Sequence, residues 1–237
     1  MSAQKMMVNS VDPDGKWLYQ VGSISALLFG IGYIIIMALY VPMGAPPDGS
    51  EAHLAYVAGN RSLWWAILGL SVLTDFLLVP VALSLYQALK GINRNAMLLA
   101  IAFMGLFLLL GLALTWTNYA VLITLSGDYA GATTYAQRAV TITAASYPST
   151  ILKSSLLFVY NSLTLSVGIL LTGLVMLKGI FSKSTACIGL ITGILGVVAV
   201  VGSLLISSLG AIIIVASLFT TVWILFVGYG LYRLSQS

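Results

Sequence analysis

Charge is what this chain has least of. Only 7% of its 237 residues are charged, ten basic and six acidic. A soluble domain carries several times that share on its surface, and a mean hydropathy of +1.06 excludes one here. Cysteine occurs once, as Cys187, so no internal disulfide and no cysteine-built metal site can form. Histidine also occurs once, as His53. A bis-histidine haem, a His-rich copper or zinc site and a Ser-His-Asp triad within the membrane are poorly supplied, and no cofactor is expected. The net charge of +4 does not imply nucleic acid, because the basic residues are scattered over short segments and form no patch.

What the chain has is apolar sequence, 60% of it, gathered in six long runs at about 17–40, 62–88, 96–125, 151–177, 186–208 and 210–232. About 20 apolar residues at 1.5 Å rise cover the roughly 30 Å hydrocarbon core of a bilayer. The expected fold class is all-α: a polytopic six-transmembrane-helix bundle in the cell membrane, one domain over residues 1–237, with the lipid bilayer as its main partner. The first run is read as a span. Lys5 and Lys16 resemble the basic start of a signal peptide, but residues 21–40 are too long for its apolar stretch and no small-residue cleavage site follows before Pro42. Basic residues favour the cytoplasmic side. An inside N-terminus assigns Lys5, Lys16, Lys90, Arg94, Lys178, Lys183 and Arg233 to the cytoplasm and leaves Arg61, Arg138 and Lys153 outside. Both termini are then cytoplasmic.

The connections carry their own signals. Short cytoplasmic turns at 90–95 and 179–185 predict helix hairpins, and Ser208-Leu209-Gly210 leaves almost no loop before the last span. Outside, the turn-rich stretch 42–49, with Ala45, Pro46 and Asp48, precedes a short helix over 51–58, capped by Ser50 and stopped by Gly59. Residues 132–147 are also helix-capable, and Pro148 reads as the opening of span 4. The two outer segments are either interfacial helices over the mouth of the bundle or plain packed connectors. Leu89-Lys90-Gly91-Ile92 recurs as Leu177-Lys178-Gly179-Ile180 at a matching position, a faint sign of a parallel duplication. In span 5, Gly189, Gly193, Gly196 and Gly202 offer a surface for close packing against span 4 or 6.

Asp75 is the residue most in need of explanation. An acid in mid-span costs at least ~2.5 kcal/mol on insertion scales, so it faces protein or water and marks a site, or else is neutralised by neighbouring helices. Pro80 withdraws a hydrogen bond from the Phe76 carbonyl, one residue from the carboxyl group, and reads as a helix breaker. Helical spacing aligns Trp64, Ser71, Asp75, Ala82 and Tyr86. In span 4, Asn161, Thr164, Gly168 and Thr172 form a second polar or small stripe, and Asn161 falls at the depth of Asp75, where a hydrogen bond is sensible. The candidate ligand- or proton-binding set is therefore Asp75, Ser71, Pro80, Tyr86, Asn161 and Thr164. Lys153, Asn118, Tyr119 and His53 are candidates for an outer vestibule. The plainer readings are a snorkelling Lys153, an interfacial Trp/Tyr belt that includes Trp116, and a surface His53. Ser217, Thr220 and Thr221 are expected to bond their own helix.

The string from Asp75-Phe76-Leu77-Leu78-Val79-Pro80 to Ser84-Leu85-Tyr86, followed by Leu89-Lys90 and Asn93-Arg94, resembles a bacterial and archaeal family of six-span membrane proteins known only as a domain of unknown function. The resemblance extends over most of the chain and implies a six-helix bundle, but no reaction or substrate. Three functions remain open. The first is a small transport or ligand-binding bundle, proton-coupled through Asp75. The second is a non-catalytic structural or accessory subunit, with other membrane subunits or a second copy as partner. The third is an intramembrane enzyme on an apolar substrate, for which no nucleophile or metal set can be assembled.

Overall fold

The computed structural model describes residues 15–44, 47 and 49–236. Lys5, and Ala45, Pro46 and Asp48 of the outer breaker, lie outside the described residues. Among the described residues there is no strand. The helices are α1 (Lys16–Tyr40), α2 (Ser50–Gly59), α3 (Arg61–Leu110), α4 (Thr117–Gly131), α5 (Tyr135–Leu152), α6 (Ser155–Met176), α7 (Lys183–Leu205) and α8 (Ile212–Gln236). A 3-10 turn, Val41–Met43, follows α1; a π-helical segment, Gly111–Trp116, joins α3 to α4; and a second 3-10 turn, Ser207–Ala211, joins α7 to α8.

Among the described residues five helical segments are long and apolar enough to cross a membrane: Lys16–Met43, Arg61–Gly131, Ser155–Met176, Lys183–Leu205 and Ser208–Gln236. The second is interrupted at Asn93, whose φ of −153° and ψ of 91° are not helical. Its Oδ1 accepts a hydrogen bond from the Ala96 N–H at 3.0 Å, so one residue ends the first half of α3 and caps the second.

Several expected boundaries move. Ser50 does not cap α2; Gly49 occupies that position at φ 92°, and the helix runs through Gly59 to a cap at Asn60. A positive φ is cheap only for glycine, so Gly49 gives the chain its turn and Ser50 becomes the first helical residue. Pro148 does not open span 4. It lies inside α5, which a capping box between Thr134 and Gln137 starts and which continues to Leu152. Span 4 begins instead at Ser155. Pro80 does not break α3, whose only non-helical residue is Asn93. The Pro80 carbonyl lies 2.7 Å from the Ser84 hydroxyl, which has the Leu18 carbonyl at the same distance and shares its one proton between them.

The chain forms two compact units, and α1 and α3 contribute to both. Among the described residues the first comprises 15–31, 76–108 and 159–236. Small residues set its spacing. A Cβ on Gly193 would lie 2.6 Å from the Leu170 Cβ, and one on Gly173 would lie 2.9 Å from the Leu190 nitrogen, so α6 and α7 approach to backbone contact. Gly189 faces Trp223 of α8 on the same principle. The expected packing role of the span 5 glycines thus holds against both neighbours. Side-chain hydroxyls fasten α1: Ser84 Oγ lies 2.7 Å from the Leu18 carbonyl, and Ser23 Oγ donates to the Gly228 carbonyl at 2.9 Å. The two Leu-Lys-Gly-Ile copies meet, because a Cβ on Gly179 would lie within 3 Å of both Ile92 Cδ1 and Leu89 Cδ2.

The second unit comprises residues 32–75 and 109–158. Here α2, α4 and α5 pack together. Leu54, Leu122 and Ala145 are their shared buried contacts. Ile36, Val57, Trp64, Ile67 and Ile123 form a second apolar cluster.

Candidate functional site

Asp75 belongs to the second unit and faces its interior. On α3, Leu73 and Phe76 are 53% and 58% exposed, whereas Asp75 is 2% exposed. It is the only charged side chain buried among the described residues. The exposed apolar neighbours and the hidden carboxyl group define opposite faces of one helix.

The hydrogen-bond partner of Asp75 is the Trp116 indole, whose Nε1–H donates to Oδ2 at 2.6 Å. The π-helical segment places it there. The i→i+5 register widens the helix by one residue, and the Thr117 hydroxyl donates to the Leu112 carbonyl at that five-residue spacing, 2.9 Å away. Gly111 opens the segment beside the carboxylate: a Cβ there would lie 3.1 Å from Asp75 Oδ2 and 3.7 Å from Trp116 Nε1. Gly32 makes similar room on α1, where a Cβ would lie 2.8 Å from Thr74 Cγ2. Thr74 donates to the Ser71 carbonyl at 2.8 Å. Tyr33 lies within electrostatic reach of Asp75.

From Trp116 a series of rings leads away from the acid. Trp116 and Tyr119 have centroids 5.9 Å apart, and Tyr119 stacks on Trp64 at 5.4 Å and 21°. Trp64 makes T-shaped contacts with Tyr40 and Tyr56 at 5.9 and 6.4 Å, and Tyr56 lies 6.1 Å from His53. Trp64 is buried, and Trp116 and Tyr119 are half-buried. These rings are therefore tied to one another and to Asp75. The sequence placed Trp116 among the belt residues because the wide turn that brings it to Asp75 leaves no mark in α-helical spacing; Gly111 and Trp116 five residues apart were the available clue.

The other candidates divide between the units. Ser71 accompanies Asp75, buried, in the second; Pro80, Tyr86, Asn161 and Thr164 belong to the first and are half-buried. The Thr164 hydroxyl serves its own helix, donating to the Tyr160 carbonyl at 2.6 Å. Asn118 likewise donates to the Leu114 carbonyl at 2.6 Å. Lys153 is exposed at the C-terminal cap of α5. It is close enough to affect His53: burial, and then the Lys153 ammonium, holds the imidazole below its ordinary range. The His53 Nδ1 is buried without a hydrogen-bond partner. At the rim, Tyr129 of α4 donates to Glu51 of α2 at 2.8 Å, and Arg138 of α5 lies over the Tyr129 ring at 5.7 Å.

Among the described residues no three His, Cys, Asp or Glu side chains are grouped to hold a metal ion. Two clefts open elsewhere. One, of about 630 Å³, lies between α4 and α5 beside Asp128 and Gln137; the other, of about 390 Å³, lies in the first unit beside Ser182 and Arg233. Asp75 lines neither. Among the described residues, fold and site together define apolar helices of membrane-crossing length with one buried acid. Comparison with protein families, curated proteins and solved structures finds no match to this chain.

Proposed function

We propose that the chain is a multi-pass protein of the cell membrane, crossing it six times with both termini cytoplasmic, and that it is a transport or ligand-binding bundle in which Asp75 takes up and releases a proton. The observation that carries this reading is the Asp75–Trp116 bond. A carboxyl group is retained within a long apolar helix, between Thr74 and Phe76, and the Trp116 indole on a π-helical turn donates to it. Intramembrane acids in protein interiors mark pathways and relays, and π turns concentrate at functional sites. A six-crossing count follows when the Arg61–Gly131 segment is divided at Asn93.

Trp116 supplies the test. Its emission, isolated as the difference between the wild type and Trp116→Phe, should change with pH as Asp75 titrates, and Asp75→Asn should abolish the change. The same titration surviving in Asp75→Asn overturns the reading. A structural or accessory subunit is the second reading, favoured by the same bond, since an indole donor can serve simply to fasten α3 to the π turn. Purification in mild detergent as a homogeneous, partner-free protein counts against it.

A further inference from the structure

We infer that the cleft between the α6–α7 connection and the last turns of α8 holds the phosphate of an anionic phospholipid, with Arg233 as its ionic partner. The site lies within the first unit and does not involve Asp75, which belongs to the second.

The sign of the ligand follows from the charges of the unit. Among the described residues of the first unit the charged side chains are Lys16, Lys90, Arg94, Lys178, Lys183 and Arg233, and none is Asp or Glu. Three of these cations share one corner. The connection that carries Lys178 and Lys183 packs on α8, where a Cβ on Gly230 would lie 2.7 Å from the Phe181 ring, three residues before Arg233. Cations gathered with no carboxylate among them repel one another and draw an anion from outside.

The cleft, of about 390 Å³, gives that anion a place. Arg233, Tyr229 and Ser184 all line it, and all three are exposed. None of the three side chains has a hydrogen bond or ion pair among the described residues. A guanidinium offers a planar fork of donors that matches phosphate oxygens, and the two hydroxyls add donors of their own. Ser182, by contrast, is occupied: its Oγ accepts from the Thr185 N–H at 3.1 Å and caps α7. The rest of the wall selects a lipid over a free phosphate. On α8, Val215, Leu218, Val222, Phe226 and Tyr229 are exposed at three- and four-residue intervals, and the next step of the same stripe is Arg233. The helix belongs to a segment of membrane-crossing length. An acyl chain laid along the stripe brings its phosphate to the guanidinium, as in other basic pockets that take lipid headgroups at the ends of membrane helices. A free phosphate would leave the apolar stripe without a use.

The test compares two lipids with the same chains. Native mass spectrometry of the purified full-length protein in detergent reads the retention of dioleoylphosphatidylglycerol against dioleoylphosphatidylcholine. Both carry the phosphate, and only the second brings a cation into a unit with no carboxylate to receive it. Phosphatidylglycerol should be retained at least about tenfold more strongly, the discrimination expected from one charge-assisted contact. Arg233→Gln should lower its retention by about tenfold. Arg94→Gln removes a cation of the same unit outside the cleft and should change it by less than about twofold, because exposed charges at a distance are screened. Glycerol phosphate in large excess, a headgroup without chains, should not displace the lipid. Equal retention of the two lipids overturns the inference, and this arm needs no variant to fold. Equal losses in Arg233→Gln and Arg94→Gln would replace the site by diffuse attraction and overturn it as well. Full displacement by glycerol phosphate would assign the cleft to a free phosphate and remove the lipid.

Discussion

At the scale of single residues, the bond between Trp116 and Asp75 is the contact with the most at stake. A buried polar group left without its partner costs about 1–3 kcal/mol. Trp116→Phe keeps most of the ring and removes the donor, so it should destabilise the protein by that amount. Denaturant unfolding in a fixed detergent checks this, and the loss should shrink when Trp116→Phe is made in an Asp75→Asn background, because the two changes share one bond. His53 makes a smaller, pH-dependent contribution. Its folded imidazole sits below the ordinary value of 6.5, held there first by burial and then by Lys153. The unfolded chain therefore takes up a proton at a higher pH than the folded one does, and stability falls as pH drops through the ordinary histidine range. The fall ends below the folded value. The melting temperature of the wild type should decline between pH 7.5 and 5 more than that of His53→Gln; parallel declines would assign the effect elsewhere. The inward-facing Asp75 was legible in the sequence because the cost of exposing a carboxyl group to hydrocarbon decides its side. Its partner was not, since that depends on the register of another helix.

At the scale of elements, the π-helical segment and the glycine contacts are the features that geometry alone decides. Gly111 leaves room for the Asp75 carboxylate, and a Cβ there meets Oδ2 at 3.1 Å. The end of a carboxyl side chain can give by a few tenths of an ångström, so Gly111→Ala should be mild. Gly111→Val adds two methyl groups at the same place and should displace the carboxylate from the indole, reproducing the Trp116 emission of Asp75→Asn. Gly193 differs, because the atoms it would meet are Leu170 Cβ at 2.6 Å and the Leu170 backbone. Nothing there is the free end of a side chain. Gly193→Val should therefore cost about 1–3 kcal/mol or more, read as lost thermal stability. Long helices were legible from apolar length, and the span 5 glycines from their spacing. Boundaries set by backbone conformation were not. Gly49 took the capping position expected of Ser50 because a positive φ suits it, and α5 ran through Pro148 because a capping box had already fixed its start upstream.

At the scale of the whole molecule, the distribution of charge and the break at Asn93 make one topology the economical one. An unbroken Arg61–Gly131 helix of 71 residues would extend far beyond a bilayer. In the proposed six-crossing topology the segment divides at Asn93 and the chain returns to the side on which it began, with Lys90 and Arg94 flanking the break. The contact between the two Leu-Lys-Gly-Ile copies adds Lys178 to the same side, because Gly179 packs on Leu89 and Ile92. In the proposed topology the preference of basic loops for the cytoplasm assigns that side. The exposed native thiol is Cys187, so Cys187→Ser gives a cysteine-free background. In that background Lys178→Cys should react with a membrane-impermeant maleimide only in inverted vesicles, and Ala136→Cys, at the α4–α5 cleft, only in right-side-out cells. Labelling of both positions from one side would remove the six-crossing topology, and with it the placement of Asp75 between two aqueous faces on which proton transfer depends.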